Sequence, residues 1–250
     1  MRILKSILFI YICVGAYLFF AQRSFIYFPT PMVEHPYSEI SYDFDDATVK
    51  VIVVNKENKN AVLYFGGNGE AVEYNASNFI KMFPNQTVYL VKYRGYGGST
   101  GEPSEEKLYS DALNIFDSLK EKHSEVSVIG RSLGSGIATL VASKRTVKKL
   151  ALITPYDSVE SLAQESFPIF PMFILLKDKY NSVGRAKLIK AQTLLLVAEN
   201  DAVIRKSHSD NLDWAFKANH STMVVIKNTG HNTISNSKQY ASLLSEFIRD

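Results

Sequence analysis

From residue 61 onward, six short runs rich in Val, Leu and Ile alternate with stretches of helical periodicity, a rhythm that few folds accommodate. The runs fall at 61–65, 87–93, 125–129, 149–153, 193–198 and 222–226, and their near-continuous apolar content fits strands buried on both faces. Helical patterns fill the gaps at 71–82, 104–122, 133–144, 206–218 and 235–248. In the second of these, Leu108, Ala112, Ile115, Phe116 and Leu119 keep the 3.6-residue period. Ser104 stands ahead of Glu105 and Glu106, a capping hydroxyl followed by acids where a helix start favours them. The alternation predicts one α/β domain with a mostly parallel sheet and helices on both faces. Residues 40–44 and 49–54 flank Asp45-Asp46 and predict a hairpin at the sheet's edge.

One interval breaks the rhythm. About 40 residues separate the runs ending at Ile153 and starting at Thr193, and they include the apolar stretch 167–176, interrupted by Pro168 and Pro171. A short lid over about 157–190 is expected there, excluding water and lining an acyl pocket. An ordinary crossover helix is the alternative.

The amino end reads as a membrane address. No residue from Ser6 to Gln22 is charged, and with Ile3 and Leu4 the run approaches the about 20 residues a helix needs to cross about 30 Å of hydrocarbon. Residues 1–24 are therefore expected to be a membrane anchor and 25–250 the α/β domain. Arg2 and Lys5 precede the run and Arg23 follows it, so a single pass with the amino end cytoplasmic and the domain on the far side is expected. A cleaved signal peptide is the rival, but a cut after Ala16 would leave Tyr17-Leu18-Phe19-Phe20 as an apolar new terminus. Phe25, Tyr27 and Phe28 either rest at headgroup level or pack on the domain.

Composition removes several classes of function. A net charge of +3 with acids and bases interspersed offers no nucleic-acid stripe. Cys13, the only cysteine, lies inside the apolar run, which leaves the domain without a disulfide or cysteine metal site. No His-Glu-x-x-His spacing points to zinc, so neither metal nor cofactor is expected. The chemistry falls to ordinary side chains.

Gly130-Arg131-Ser132-Leu133-Gly134 lies between the run 125–129 and the helical stretch that follows. A G-x-S-x-G at a strand-to-helix turn is a nucleophile elbow, tight enough to demand glycines and to leave the serine exposed at its tip. Gly97-Gly98-Ser99-Thr100-Gly101 matches the same pattern, but Glu102-Pro103 follows and no helix opens. Ser132 passes the context test and Ser99 fails it.

A serine hydroxyl is a weak nucleophile until a base takes its proton, and the base needs a carboxylate to hold its tautomer. Where such an elbow occurs, the chain order is serine, acid, histidine. Asp201 follows the run 193–198 and His231 follows 222–226, both at carboxyl ends of predicted strands. Asp157, after the preceding strand, is the alternative acid, and Glu199 comes two residues early. His35, His123, His208 and His220 stand in less suitable places. An oxyanion hole requires two backbone N–H groups. Leu133 supplies one by position, and Asn68 in Gly66-Gly67-Asn68-Gly69-Glu70 is the expected second.

These segments together resemble the α/β hydrolase superfamily, in particular its short-lid, membrane-anchored serine hydrolases with serine-aminopeptidase-like domains. The resemblance runs from about Gln22 to the end: Arg23-Ser24-Phe25-Ile26-Tyr27-Phe28-Pro29, Tyr64-Phe65-Gly66-Gly67-Asn68-Gly69, Tyr93-Arg94-Gly95-Tyr96-Gly97-Gly98, the elbow, Pro155-Tyr156-Asp157-Ser158, Asn200-Asp201 and Gly230-His231. It implies that Ser99 belongs to a structural turn. Where that family usually has His-Gly-Asn, this chain has Gly66-Gly67-Asn68, which removes a bracing side chain and keeps the backbone donor. The expected function is hydrolysis of carboxylic esters or thioesters of a small-molecule, lipid or acylated substrate through Ser132, His231 and Asp201. A serine peptidase or amidase of the same fold, or a non-catalytic membrane-tethered scaffold, are the alternatives.

Overall fold

The computed structural model describes residues 1–249. Eight strands form one sheet: β1 (Ser38–Phe44), β2 (Ala47–Val54), β3 (Asn60–Phe65), β4 (Gln86–Val91), β5 (Glu125–Arg131), β6 (Lys149–Ile153), β7 (Gln192–Ala198) and β8 (Ser221–Ile226). Their order is β1-β2-β4-β3-β5-β6-β7-β8. The β1–β2 hairpin is antiparallel and joins β4 antiparallel, whereas every pairing from β4 through β8 is parallel. The expected mostly parallel sheet with an edge hairpin is what forms.

Helices cover both faces because the strands are apolar on both. Ala61, Leu63 and Phe65 of β3 join a core with residues of α3 (Glu105–Lys122), α4 (Leu133–Lys144) and α8 (Lys206–Ala215). Val62 and Tyr64, one residue out of phase, join a second core with Phe79 of α2 (Ala76–Met82) and Leu244 and Ile248 of α9 (Lys238–Arg249). The two-residue period of a strand thus sorts one sequence run into two cores.

Several boundaries differ from the sequence expectation. The stretch 71–82 divides into a 3-10 turn, Val72–Asn75, and α2. The helix expected over 206–218 ends at Ala215, because Phe216 turns to extended backbone and buries its ring in the core. Strand β5 runs on to Arg131, held by the pairing of Gly130 and Arg131 with Leu152 and Ile153 of β6. The carboxyl end of β5 therefore reaches the very residue before Ser132.

Between β6 and β7 lie three short helices, α5 (Val159–Ser166), α6 (Met172–Leu175) and α7 (Val183–Ala186), instead of one crossover helix. The first two pack against α1 (Arg2–Ile26), whose residues are all exposed except Gly15, Leu18, Phe19, Ala21, Gln22 and Ile26. Tyr11 Oη donates to the Ile169 carbonyl at 2.9 Å, and its ring stacks on Phe170 at 4.7 Å. Leu18 packs on Phe170 and Met172. Gln22 donates to the Leu175 carbonyl at 3.0 Å and accepts the Lys177 N–H at 2.6 Å. Arg23 and Tyr27 both donate to Asp178, at 3.1 and 3.0 Å. Of the three aromatics after the apolar run, Tyr27 is buried against the domain, while Phe25 and Phe28 stay half exposed.

A buried arginine ties the sheet edge to a face. Arg94 donates through Nε and Nη2 to both oxygens of Asp111 in α3, at 2.6 and 2.7 Å, and through Nη1 to Asp46 in the β1–β2 turn. Burial pushes the Asp111 carboxyl above its ordinary value, an effect that the guanidinium only partly offsets.

Candidate active site

The elbow occurs where β5 must turn at once into α4. Ser132 sits between them with φ 49° and ψ −117°, left-handed backbone that a residue with a Cβ adopts only under strain. A Cβ at Gly130 would come within 2.3 Å of the Gly134 carbonyl oxygen, and one at Gly134 within 2.1 Å of the Phe65 carbonyl oxygen. Both positions therefore require glycine, and the Ser132 N–H is anchored on the Ile153 carbonyl at 2.9 Å. Ser99, the other match to the pattern, is buried in the loop after β4, where its hydroxyl donates to the Lys92 carbonyl and accepts the Lys50 N–H. That serine holds a turn.

His231, in the turn after β8, lies with Nε2 3.0 Å from Ser132 Oγ and Nδ1 2.8 Å from Asp201 Oδ2. With a carboxylate at Nδ1, the ring carries its proton there and turns a bare Nε2 to the serine. Asp201 follows β7 and also accepts the Val203 and Ile204 N–H groups at 2.9 and 2.8 Å. Burial works to raise the Asp201 carboxyl, but the hydrogen bonds from His231 and Ile204 outweigh it and hold the carboxyl below its ordinary value. An ionised acid, an oriented imidazole and a hydroxyl are thus aligned across 99 residues of chain.

The other candidates have partners of their own. Asp157 accepts from His208 Nδ1 at 2.9 Å, from Asn211 and from the Ser158 N–H, and it faces away from His231 into α8. Glu199 accepts the Asn228 N–H at the β8 turn. His123 bridges Tyr89 and the Asn58 carbonyl. His35 lies beside Glu39 and Lys92 at the sheet edge, and His220 reaches the Ala218 carbonyl.

Leu133 and Asn68 both border the cavity that contains Ser132. The Gly134 and Ser135 N–H groups are taken by the Gly66 and Ser132 carbonyls, which leaves the Leu133 N–H at the open first turn of α4. Asn68 is fixed through its other atoms: its carbonyl accepts the Phe28 N–H and Tyr96 Oη, and its amide donates to the Ile26 carbonyl. The loop that Gly66 leaves without a bracing side chain is braced from its far end. Glu70 accepts the Gly67 N–H at 2.8 Å and Tyr64 Oη at 2.5 Å, is hydrogen-bonded by Asn75, and lies 3.7 Å from Arg131. Arg131 also donates to the His231 carbonyl at 3.3 Å. Neither Glu70 nor Arg131 was expected at the site, although Arg131 is the second residue of the elbow motif itself.

Above Ser132 lies a cavity of about 310 Å³. Its walls are apolar, Leu18 and Ile26 from α1 facing Val159, Met172 and Leu175 from the segment between β6 and β7. Such a cavity, mostly apolar with Gln22, Asn68, Ser132 and Ser166 as its few polar side chains, suits a small apolar ligand presenting one reactive group to the serine.

Solved structures share this architecture. The Pyrococcus furiosus esterase Pf2001 superposes over 89% of this chain and 98% of its own with a TM-score of 0.71 at 14% identity. MGS-M2, an α/β hydrolase from a deep-sea metagenome, does so over 84% and 98% with a TM-score of 0.70 at 12% identity. The chain has the α/β-hydrolase fold. No family model matches it. Curated relatives of the chain include an uncharacterised protein of Mycobacterium tuberculosis, 31% identical over 150 residues, which are 58% of this chain and 53% of that protein. The α/β hydrolase domain-containing protein aho-3 of Caenorhabditis elegans is 28% identical over 66% of this chain and 49% of its own. Lysophosphatidylserine lipase ABHD12 of Gallus gallus is 32% identical over 47% and 36%. The chain spans about half the length, or less, of the curated relatives it matches.

Proposed function

We propose that the chain is a membrane-anchored serine hydrolase that cleaves carboxylic ester or thioester bonds of acylated substrates, with Ser132 as nucleophile, His231 as base and Asp201 as its orienting acid. The observation that carries this reading is the unbroken line Ser132–His231–Asp201 at 3.0 and 2.8 Å on the floor of an apolar cavity. His231 Nε2 takes the Ser132 proton as Oγ bonds to the acyl carbon, and the carbonyl oxygen becomes an oxyanion facing the Leu133 and Asn68 N–H groups. Collapse breaks the acyl–oxygen or acyl–sulfur bond, and His231 returns the proton to the departing alcohol or thiol. Water, deprotonated in turn by His231, releases the acid from the acyl-enzyme and restores Ser132.

On this reading residues 1–24 are the anchor, residues 25–250 the hydrolase domain, and the segment at about 157–190 its lid. The amino end is cytoplasmic, with the domain across the membrane, as Arg2 and Lys5 against Arg23 favour. A relative named for lysophosphatidylserine hydrolysis supports a lipid or lipid-like acyl substrate. Replacement Ser132→Ala is expected to abolish both fluorophosphonate labelling and p-nitrophenyl butyrate turnover. Labelling that persists in the folded variant would overturn the assignment.

A further inference from the structure

We propose that residues 167–176 form a second membrane element, immersed in the acyl layer beside α1, so that the acyl cavity opens sideways into the leaflet. The inference rests on reading α1 as a membrane span. Helix length argues first. Residues 2–14 of α1 are all exposed, with only Tyr11 held to the segment between β6 and β7, but at about 1.5 Å per residue they reach only about 20 Å, against about 30 Å of hydrocarbon. A crossing must also use the turns around Leu18 and Gln22, and those turns hold the lid segment. Whatever is fixed to Tyr11 and Leu18 goes to the depth at which they lie.

The segment has the composition that such a position requires. Phe167-Pro168-Ile169-Phe170-Pro171-Met172-Phe173-Ile174-Leu175-Leu176 contains no polar side chain, and Ile169, Phe173 and Ile174 are 71, 61 and 64% exposed. Facing water they would make a costly apolar patch, whereas they continue the exposed apolar surface of α1. Lys177, Asp178 and Lys179 follow at once, and Arg23 joins Asp178 at that level, as expected where chain and span reach the headgroups together.

Backbone bonding supplies an independent observation. Irregular chain is tolerated in hydrocarbon only where its N–H and C=O groups find partners within the protein. Here Pro168 and Pro171 carry no N–H, and Gln164 alone takes the Met172 N–H at 3.1 Å and reaches the Phe167, Pro168 and Phe170 carbonyls at 3.4, 3.3 and 3.0 Å. Tyr11 serves the Ile169 carbonyl, Gln22 that of Leu175, and Lys179 that of Phe173. Most of the segment's carbonyls thus find partners within the protein, while the Ile169 N–H finds none among the described residues. Tyr11 and Gln22 of the apolar helix thus serve the lid's backbone.

The occupant of the exposed face is therefore lipid, and the substrate it implies is a single-chain acyl ester lying in the same leaflet. At about 310 Å³ the cavity stands at the small end of ligand sites, room for one chain and not two.

Trp214 is the only tryptophan, which makes depth measurable in the full chain. In a Trp214→Phe background, Ile169→Trp and Ile174→Trp are placed separately in phosphatidylcholine vesicles whose acyl chains carry bromine. Both reporters should lose most of their emission to the brominated chains and resist aqueous acrylamide. Quenching by acrylamide alone would overturn the proposal, and so would shielding from both quenchers by a second copy or a partner protein. In parallel, the Ile169→Glu/Ile174→Glu variant should turn over a vesicle-borne monoacyl ester about tenfold more slowly, with soluble p-nitrophenyl butyrate turnover held within about twofold. Unchanged turnover of the vesicle-borne ester would count against immersion. If wild-type protein neither labels at Ser132 nor cleaves the soluble ester, the hydrolase reading fails while the depth measurement stands.

Discussion

Glu70 touches none of the three residues aligned at the elbow, yet it fixes two things they depend on. Its carboxylate draws in the Gly67 N–H next to Asn68, and through Arg131 it lies one contact from the backbone of His231. The Gly67 N–H is thereby engaged, and in the proposed mechanism the Asn68 N–H is the loop's donor to a substrate oxygen. Glu70→Ala is expected to lower kcat for a soluble ester about ten- to a hundredfold with little change in KM, the mark of a donor displaced only in the transition state. Glu70→Gln should recover part of that loss, since an amide oxygen can still accept from Gly67, and a KM effect without a kcat effect would refute the positioning role. Ser132, Asp201 and His231 were legible because each follows a predicted strand in a fixed order. The brace was not, because Tyr64, Glu70, Asn75 and Arg131 meet only when β3, β5 and the 3-10 turn are side by side, and a carboxylate three residues after a glycine is an ordinary loop feature.

At the scale of elements, the link between α5 and α8 is a titratable one. His208 of α8 stands between Asp157 and Glu165, at 2.9 and 2.8 Å, and Glu165 is also paired with Arg205. Burial works to lower the imidazole pKa, but the hydrogen bonds to Glu165 and Asp157 outweigh it and raise it above 6.5. A raised folded value means that the stabilisation is complete below about 6.5 and fades as the pH climbs through the raised value. Thermal unfolding followed from pH 6 to pH 9 should therefore show wild-type stability falling in that window and a flatter profile for His208→Gln; parallel profiles would exclude the latch. The long elements were readable because burial on both sheet faces leaves an unmistakable apolar run. The three short helices after β6 were not, since α6 and α7 are each four residues long and owe their shape to α1 and α3 across the gap. Phe216 ended α8 early for a related reason, burial of its ring in a core that no local pattern announces.

For the molecule as a whole, Arg94 joins three parts that would otherwise meet only through packing: the edge hairpin, the loop after β4 and α3. Its removal by Arg94→Leu leaves Asp111 buried without its cation, and the expected cost is about 3–5 kcal/mol. Chemical denaturation of the detergent-solubilised chain measures it, and a loss under about 1 kcal/mol would show that solvent or a neighbour replaces the guanidinium. The overall plan, sheet and long apolar amino-terminal helix together, could be read from periodicity and charge alone. How that helix meets the domain could not, because Tyr11 and Gln22 look like tolerated impurities in an apolar helix until the Ile169 and Leu175 carbonyls are found opposite them.

The backbone at Ser132 sets the protein's fitness against its durability. A φ of 49° costs a serine about 1–3 kcal/mol, a penalty that glycine escapes and alanine does not. Ser132→Gly should thus melt above both wild type and Ser132→Ala, by about 2–4 °C for each kcal/mol released, and equal melting temperatures for the two variants would show an unstrained turn. A library ranked by heat resistance alone would on that account promote sequences that have surrendered Ser132, the proposed nucleophile, and any search for a hardier form of this protein has to score turnover in the same round.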